Sequence, residues 1–149
     1  MSNTPVSDLD QLLIERACTR LVLDSFGHND RRDFTAFAAL FADDGELHRP
    51  SGAPLVGPAA IQAAYEARPA TRMTRHVCTN VRVTVTSPAT ATGLTYVVLF
   101  GGTSTDAPDG HFGIKADARL LMGEVDDTFV LTPAGWRIRR RRAWFTFHT

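Results

Sequence analysis

Cysteine is nearly missing from this chain: Cys18 and Cys78 are the two in 149 residues. So few thiols, without a paired spacing, exclude a disulfide framework and a thiolate zinc site. They predict a reduced, cytoplasmic setting. Net charge is missing too, because 16 basic and 16 acidic residues cancel. A protein that grips nucleic acid is ordinarily basic overall, so no nucleic-acid partner is expected. No apolar run approaches the roughly 20 residues that cross a bilayer. Residues 1–7 lack the basic and long apolar regions of a signal peptide. No His, Asp and Glu grouping has metal-ligand spacing, so no metal is expected. Internal repeats are absent, and the arginine run 139–142 is the only biased block.

What is present reads as a single domain over 1–149, large enough to bury a core unaided. Residues 1–6 read as a flexible tail. Ser7 and Asp10 then resemble a capping box. Leu9, Leu12, Leu13, Ala17 and Leu21 follow at helical spacing, and Gly27 offers a stop. A polar break over 28–33 precedes a second helix built on Phe34, Phe37, Ala38, Leu40 and Phe41, closed by residues 42–45. Residues 46–49 predict a short strand. Gly57-Pro58 opens a third helix, since proline suits the first helical position.

From residue 74 the period changes to two. Val77, Thr79, Val81, Val83 and Val85 fall on one face of a strand, which reads as core. His76, Cys78, Asn80, Arg82 and Thr84 fall on the other, with the histidine where a strand enters a cleft. Further strands are expected over 91–100, over 112–131 with a bend near Gly123, and over 136–147. Three helices followed by long, mostly antiparallel strands give an α+β fold. Helices packed in the hollow of one strongly curved sheet would leave a pocket between the layers.

The order of short motifs resembles the NTF2-like superfamily, and within it the SnoaL-like and scytalone-dehydratase-like proteins. The resemblance is carried by Asp30-x-x-Asp33-Phe34, by Leu40-Phe41-Ala42-Asp43-Asp44-Gly45, by Gly57-Pro58-x-x-Ile61, by His76-x-x-Thr79-Asn80-Val81-x-Val83, and by Gly135-Trp136-Arg137-Ile138. It implies an NTF2-like, cystatin-like cone and a homodimer or homotrimer. It also implies a cofactor-free enzyme in which Asp30 orients His76 for general acid–base work. Dehydration, elimination or isomerisation of a cyclic or aromatic small molecule is the expected chemistry. The 91–100 strand departs from the scytalone dehydratase pattern, holding no histidine and one tyrosine, Tyr96.

Each assignment has a plainer counterpart. Asp30, with Asp33, can cap the second helix, and His76 can be a structural histidine. Tyr65, Tyr96, His28 and Trp136 are candidate pocket residues that can equally be core or surface. His48 and His111 read as surface residues. The arginines of 137–142 alternate between faces, some meeting Glu124, Asp126 or Asp127 on the next strand and some pointing toward a cavity or subunit contact. An inward arginine would favour an anionic or enolate-like substrate. The competing function is a non-catalytic ligand-binding or assembly protein of the same fold. An epoxide hydrolase would need a second carboxylate and an arginine around a water, a set the sequence does not assemble.

Overall fold

The computed structural model describes residues 6–105 and 107–149. Of the expected tail, residues 1–5 lie outside the described residues, whereas Val6 packs against the core. The first helix, α1 (Asp8–Asp30), starts at the expected cap: Asp10 N–H donates to the Ser7 hydroxyl at 3.1 Å. Its buried stripe differs from the expected one. Ile14, Cys18, Leu21, Val22 and Phe26 are buried, while Leu9, Leu12 and Leu13 are exposed. Gly27 does not stop the helix. Glycine inside a helix costs about 1 kcal/mol, and burial of the neighbouring Phe26 ring, about 1.5–3 kcal/mol, outweighs it.

Asp33 rather than Asp30 caps the short α2 (Phe34–Ala38), accepting from Ala36 N–H at 3.0 Å. Residues 42–45 were expected to close that helix but belong to β1 (Phe41–His48). Gly45 is required there, because an added Cβ would sit 2.8 Å from the Ala42 carbonyl oxygen. A two-residue strand, β2 (Leu55–Val56), leads into α3 (Pro58–Glu66), with Pro58 in its first turn.

The remaining strands are β3 (Arg72–Ser87), β4 (Thr90–Thr103), β5 (Leu121–Thr132) and β6 (Gly135–His148). The expected strand over 112–131 therefore begins nine residues later than its first residue, at Leu121; His111 instead lies in a short 3-10 turn (Gly110–Phe112). One six-stranded sheet has the order β2-β1-β6-β5-β4-β3. All neighbours are antiparallel except β1 and β6. The core forms where α1 and α2 meet the inner face, around Phe37, Phe41, Ile61, Phe129 and Ile138.

Register breaks decide which side chains face inward. On β3 the pairing shifts between Thr79 and Arg82, and Asn80 has φ +52°. One extra residue there is a β-bulge, and it reverses the parity of everything beyond it. The expected division of this strand is thereby corrected. Val81, Val83 and Val85 pack against the core as expected, but Val77 is 46 % exposed, and Thr74, His76 and Cys78 share the inner side. A second break lies between Met122 and Gly123, at the expected bend. An added Cβ on Gly123 would lie within 2.3 Å of the Trp144 carbonyl oxygen, so glycine alone fits. A third break, between Thr128 and Phe129, places Ile138 and Arg141 both inward although they are three residues apart.

Asn80 is a residue that tolerates this left-handed backbone, and a β-branched side chain is not. Replacing Asn80 by Val should cost about 1–2 kcal/mol, whereas Asn80→Gly should cost less, both read from urea unfolding.

Candidate active site

The last residue of α1 meets the upstream end of β3. Because α1 continues past Gly27, Asp30 remains helical and projects toward the strand. Its carboxylate accepts three hydrogen bonds: from His76 Nδ1 at 2.5 Å, from His76 backbone N–H at 2.8 Å and from the Thr74 hydroxyl at 2.9 Å. Both side chains are largely covered, 11 % exposed for His76 and 13 % for Asp30. Burial pushes the Asp30 carboxyl up, but the bonds from the His76 ring and backbone, its proximity to that ring and the Thr74 hydroxyl together bring it below its ordinary value. Asp30 is therefore ionised at neutral pH and can only accept. The proton between the two groups consequently sits on Nδ1 of His76, which leaves Nε2 as the ring nitrogen that Asp30 does not engage.

His76 lines a cavity of about 300 Å³, at the small end of ordinary ligand pockets. Apolar walls come from Phe26, Phe37, Leu47, Val97, Leu99 and Trp144. Polar groups come from Asn29, Tyr65, Arg49, Arg68, Glu124 and Arg141. The Phe26 ring lies 4.9 Å from the His76 ring and 5.0 Å from the Arg141 guanidinium carbon. Arg141 itself is fixed. Its Nε and Nη2 donate to the two Asp127 oxygens at 2.8 Å each, and its Nη1 donates to Ser25 Oγ of α1 at 2.6 Å. Asp127 is 1 % exposed and Arg141 3 %. The pairing with a neighbouring strand and the inward orientation, expected of different arginines, belong to this one. Arg139 is exposed and meets Asp44 at 2.9 Å.

Among the other sequence candidates, Tyr65 reaches the cavity, its ring tilted against Phe37 with centroids 4.8 Å apart. Burial pushes its hydroxyl pKa up. The remaining three do not line it. Tyr96 alternates with the inward Thr95 and Val97 and so faces the other side of the sheet. His28 lies at the surface, 3.8 Å from Asp33 and 3.3 Å from Arg31. Trp136 lines a separate hollow with Ile14 and Leu131, and Trp144 takes the aromatic place in the cavity instead. Sequence reading missed Arg49 and Arg68 as cavity residues; the signal for Arg49 was its two-residue offset from the buried Leu47 on a strand. His48 pairs with Glu46 at 2.8 Å, half exposed, away from the cavity. Among the described residues no group of three His, Cys, Asp or Glu side chains can hold a metal ion, and no helix is long and apolar enough to cross a membrane.

A family model of the SnoaL-like domain matches residues 10–142. The chain belongs to the SnoaL-like family. Proteins of this family bind small-molecule ligands. No curated protein matches this SnoaL-like chain in sequence. Solved structures match it in fold. An NTF2-like protein with a cystatin-like fold from Novosphingobium aromaticivorans is 28 % identical, with a TM-score of 0.70 over 90 % of this chain and 83 % of that one. A scytalone dehydratase-like protein of the same species is 24 % identical, with a TM-score of 0.76 over 93 % and 87 %. A hexachlorocyclohexane dehydrochlorinase, LinA-type3 from Novosphingobium barchaimii, is 19 % identical, with a TM-score of 0.80 over 96 % and 93 %. The fold is thus the α+β, NTF2-like cone that the motif order implies.

The lowered Asp30 value links stability to pH. A carboxylate whose folded value is depressed contributes stability that is present above its unfolded value, about 4, and lost as pH falls through the folded one. The stability difference between the wild type and Asp30→Asn should therefore be constant above about pH 5 and shrink below about pH 4, measured by urea unfolding at each pH.

Proposed function

We propose that this protein is a small lyase or isomerase that works without a cofactor and uses His76 as its general base. The observation that carries the reading is the 2.5 Å bond from His76 Nδ1 to Asp30, on a ring that also lines an apolar cavity. Such an arrangement leaves Nε2 free to take a proton from a carbon of the bound molecule. The C–H electron pair then forms a double bond, either by expelling a leaving group from the adjacent carbon or by moving charge onto a carbonyl oxygen. In the first case a hydroxide or another anion leaves, and His76 can return its proton to it. In the second case the proton is returned at a different carbon. Asp30 stabilises the imidazolium formed in between, as the carboxylate of a histidine–carboxylate pair does. Arg141, its charge balanced by Asp127, still has N–H groups beside the cavity that can donate to an oxyanion developing during the step. The apolar walls suit a cyclic or aromatic molecule of one or two rings.

General acid–base help of this kind contributes roughly 100- to 10,000-fold in rate. Screening would begin with cyclic hydroxy-ketones. His76→Ala should abolish turnover of any substrate so found while circular dichroism shows the fold intact, and Asp30→Asn should lower it strongly. A folded His76→Ala protein that keeps its turnover would overturn the assignment and leave a ligand-binding protein of the same fold.

We also propose that the chain forms a homodimer or homotrimer. The end of β6 leaves Phe145 and Phe147 exposed, the latter at 66 %, close to the cavity residue Trp144, and apolar patches of this sort mark interfaces. Sedimentation at micromolar concentration should give a species larger than the monomer, and a monomer there would reject the proposal.

A further inference from the structure

Among the described residues, two arginines line the cavity without a carboxylate partner. Arg49 follows His48 at the end of β1, and the alternation that buries Leu47 turns Arg49 the same way. Its Nε is fully buried and, among the described residues, has no hydrogen-bond partner. Arg68 follows α3, and its Nη1 donates to Asn29 Oδ1 at 2.9 Å. Its guanidinium carbon lies 5.4 Å from the centre of the Tyr65 ring. Among the described residues, no Asp or Glu comes within 4.0 Å of either guanidinium. The acids nearby are otherwise engaged or out of reach. Asp127 is bonded to Arg141, and Asp30 to His76. Glu124 lines the cavity but makes no such pair.

Leaving a guanidinium N–H buried and unbonded is costly, and native proteins rarely do so without a reason. Burial, with the neighbouring charges of Arg32 and Arg72, lowers the Arg68 pKa in spite of the opposing influence of Tyr65 and Asp30. Among the described residues, the Arg49 Nε has no acceptor and neither guanidinium has a carboxylate, so the cavity holds donor capacity for an acidic acceptor. Planar guanidinium forks match the two oxygens of a carboxylate.

We propose that Arg49 and Arg68 form an anion subsite in the cavity, and that the molecule bound there is an organic carboxylate. Its ring would rest against Phe26, Phe37 and Trp144, with the reacting carbon turned to His76. The orientation rests on the reading of His76 as the base; the binding of the carboxylate does not. Ground-state anchoring by these two arginines is separate from the stabilisation of a developing oxyanion by Arg141.

The test uses two probes of the same shape, 1-naphthoate and the neutral 1-naphthamide, titrated into the whole protein by calorimetry. The carboxylate should bind about tenfold more tightly than the amide, about 1.4 kcal/mol. Arg49→Gln and Arg68→Gln should each weaken carboxylate binding more than amide binding and so remove most of that preference. Arg49→Lys, which keeps the charge but loses the fork, should retain part of it. His76→Ala should keep the full preference, so failure of the subsite and failure of the base are read from different proteins. Equal affinity for the two probes, a preference that survives in both folded glutamine variants, or no binding of the carboxylate at millimolar concentration would overturn the proposal.

Discussion

The Arg141–Asp127 ion pair ties the layers of this structure together. It joins β6 to β5, and through Ser25 it reaches α1. Both charges are almost entirely removed from water. A pair of this kind adds little net stability over apolar residues of the same size, yet losing one partner is severe because the other is left uncompensated. Its effect is therefore geometric. Arg141 can satisfy Asp127 and Ser25 together only when helix and sheet hold one relative position. That position brings the Phe26 ring within 5.0 Å of the guanidinium carbon and 4.9 Å of the His76 ring. His76 is thus held by Asp30 at its Nδ1 and in contact with the Phe26 ring.

Much of this was legible in the sequence, and the reason is local chemistry. Ser7 and Asp10 read as a cap because three residues bring a hydroxyl to a free N–H. Asp30 and His76 were selected together through a family resemblance, and they do meet. The polar break after α1 held two aspartates with two possible jobs. Asp33 does the capping, which leaves Asp30 for the strand.

What the sequence hid was parity. A strict period of two assigns His76 and the downstream valines of β3 to opposite faces. The extra residue at Asn80 cancels that rule, and a histidine and a valine stripe of opposite parity come to share the concave side. The same device near Arg139 separates Arg141 from the other arginines of its run. A bulge depends on what the partner strand does, so no single strand announces it. The buried face of α1 was misjudged for a related reason. Leu9, Leu12 and Leu13 form a good stripe, but that stretch of the helix has little to pack against. Tertiary contact at Cys18, Val22 and Phe26 sets the rotation instead.

The parallel pairing of β1 with β6 carries a consequence for how the protein assembles. Phe41 lies beside Ile138, and Leu47 beside Arg141, so strands from opposite halves of the chain are neighbours. Loop closure over such a span must precede any gain from the contact, which slows folding. Arg49 leaves β1 toward the cavity, while Arg141, Trp144 and Phe145 arrive from β6. The wall of the pocket is consequently completed by one of the most nonlocal steps in the fold. A partly folded chain could hold the α1–β3 junction, with Asp30 beside His76, and still have no enclosed space in which a ligand could bind.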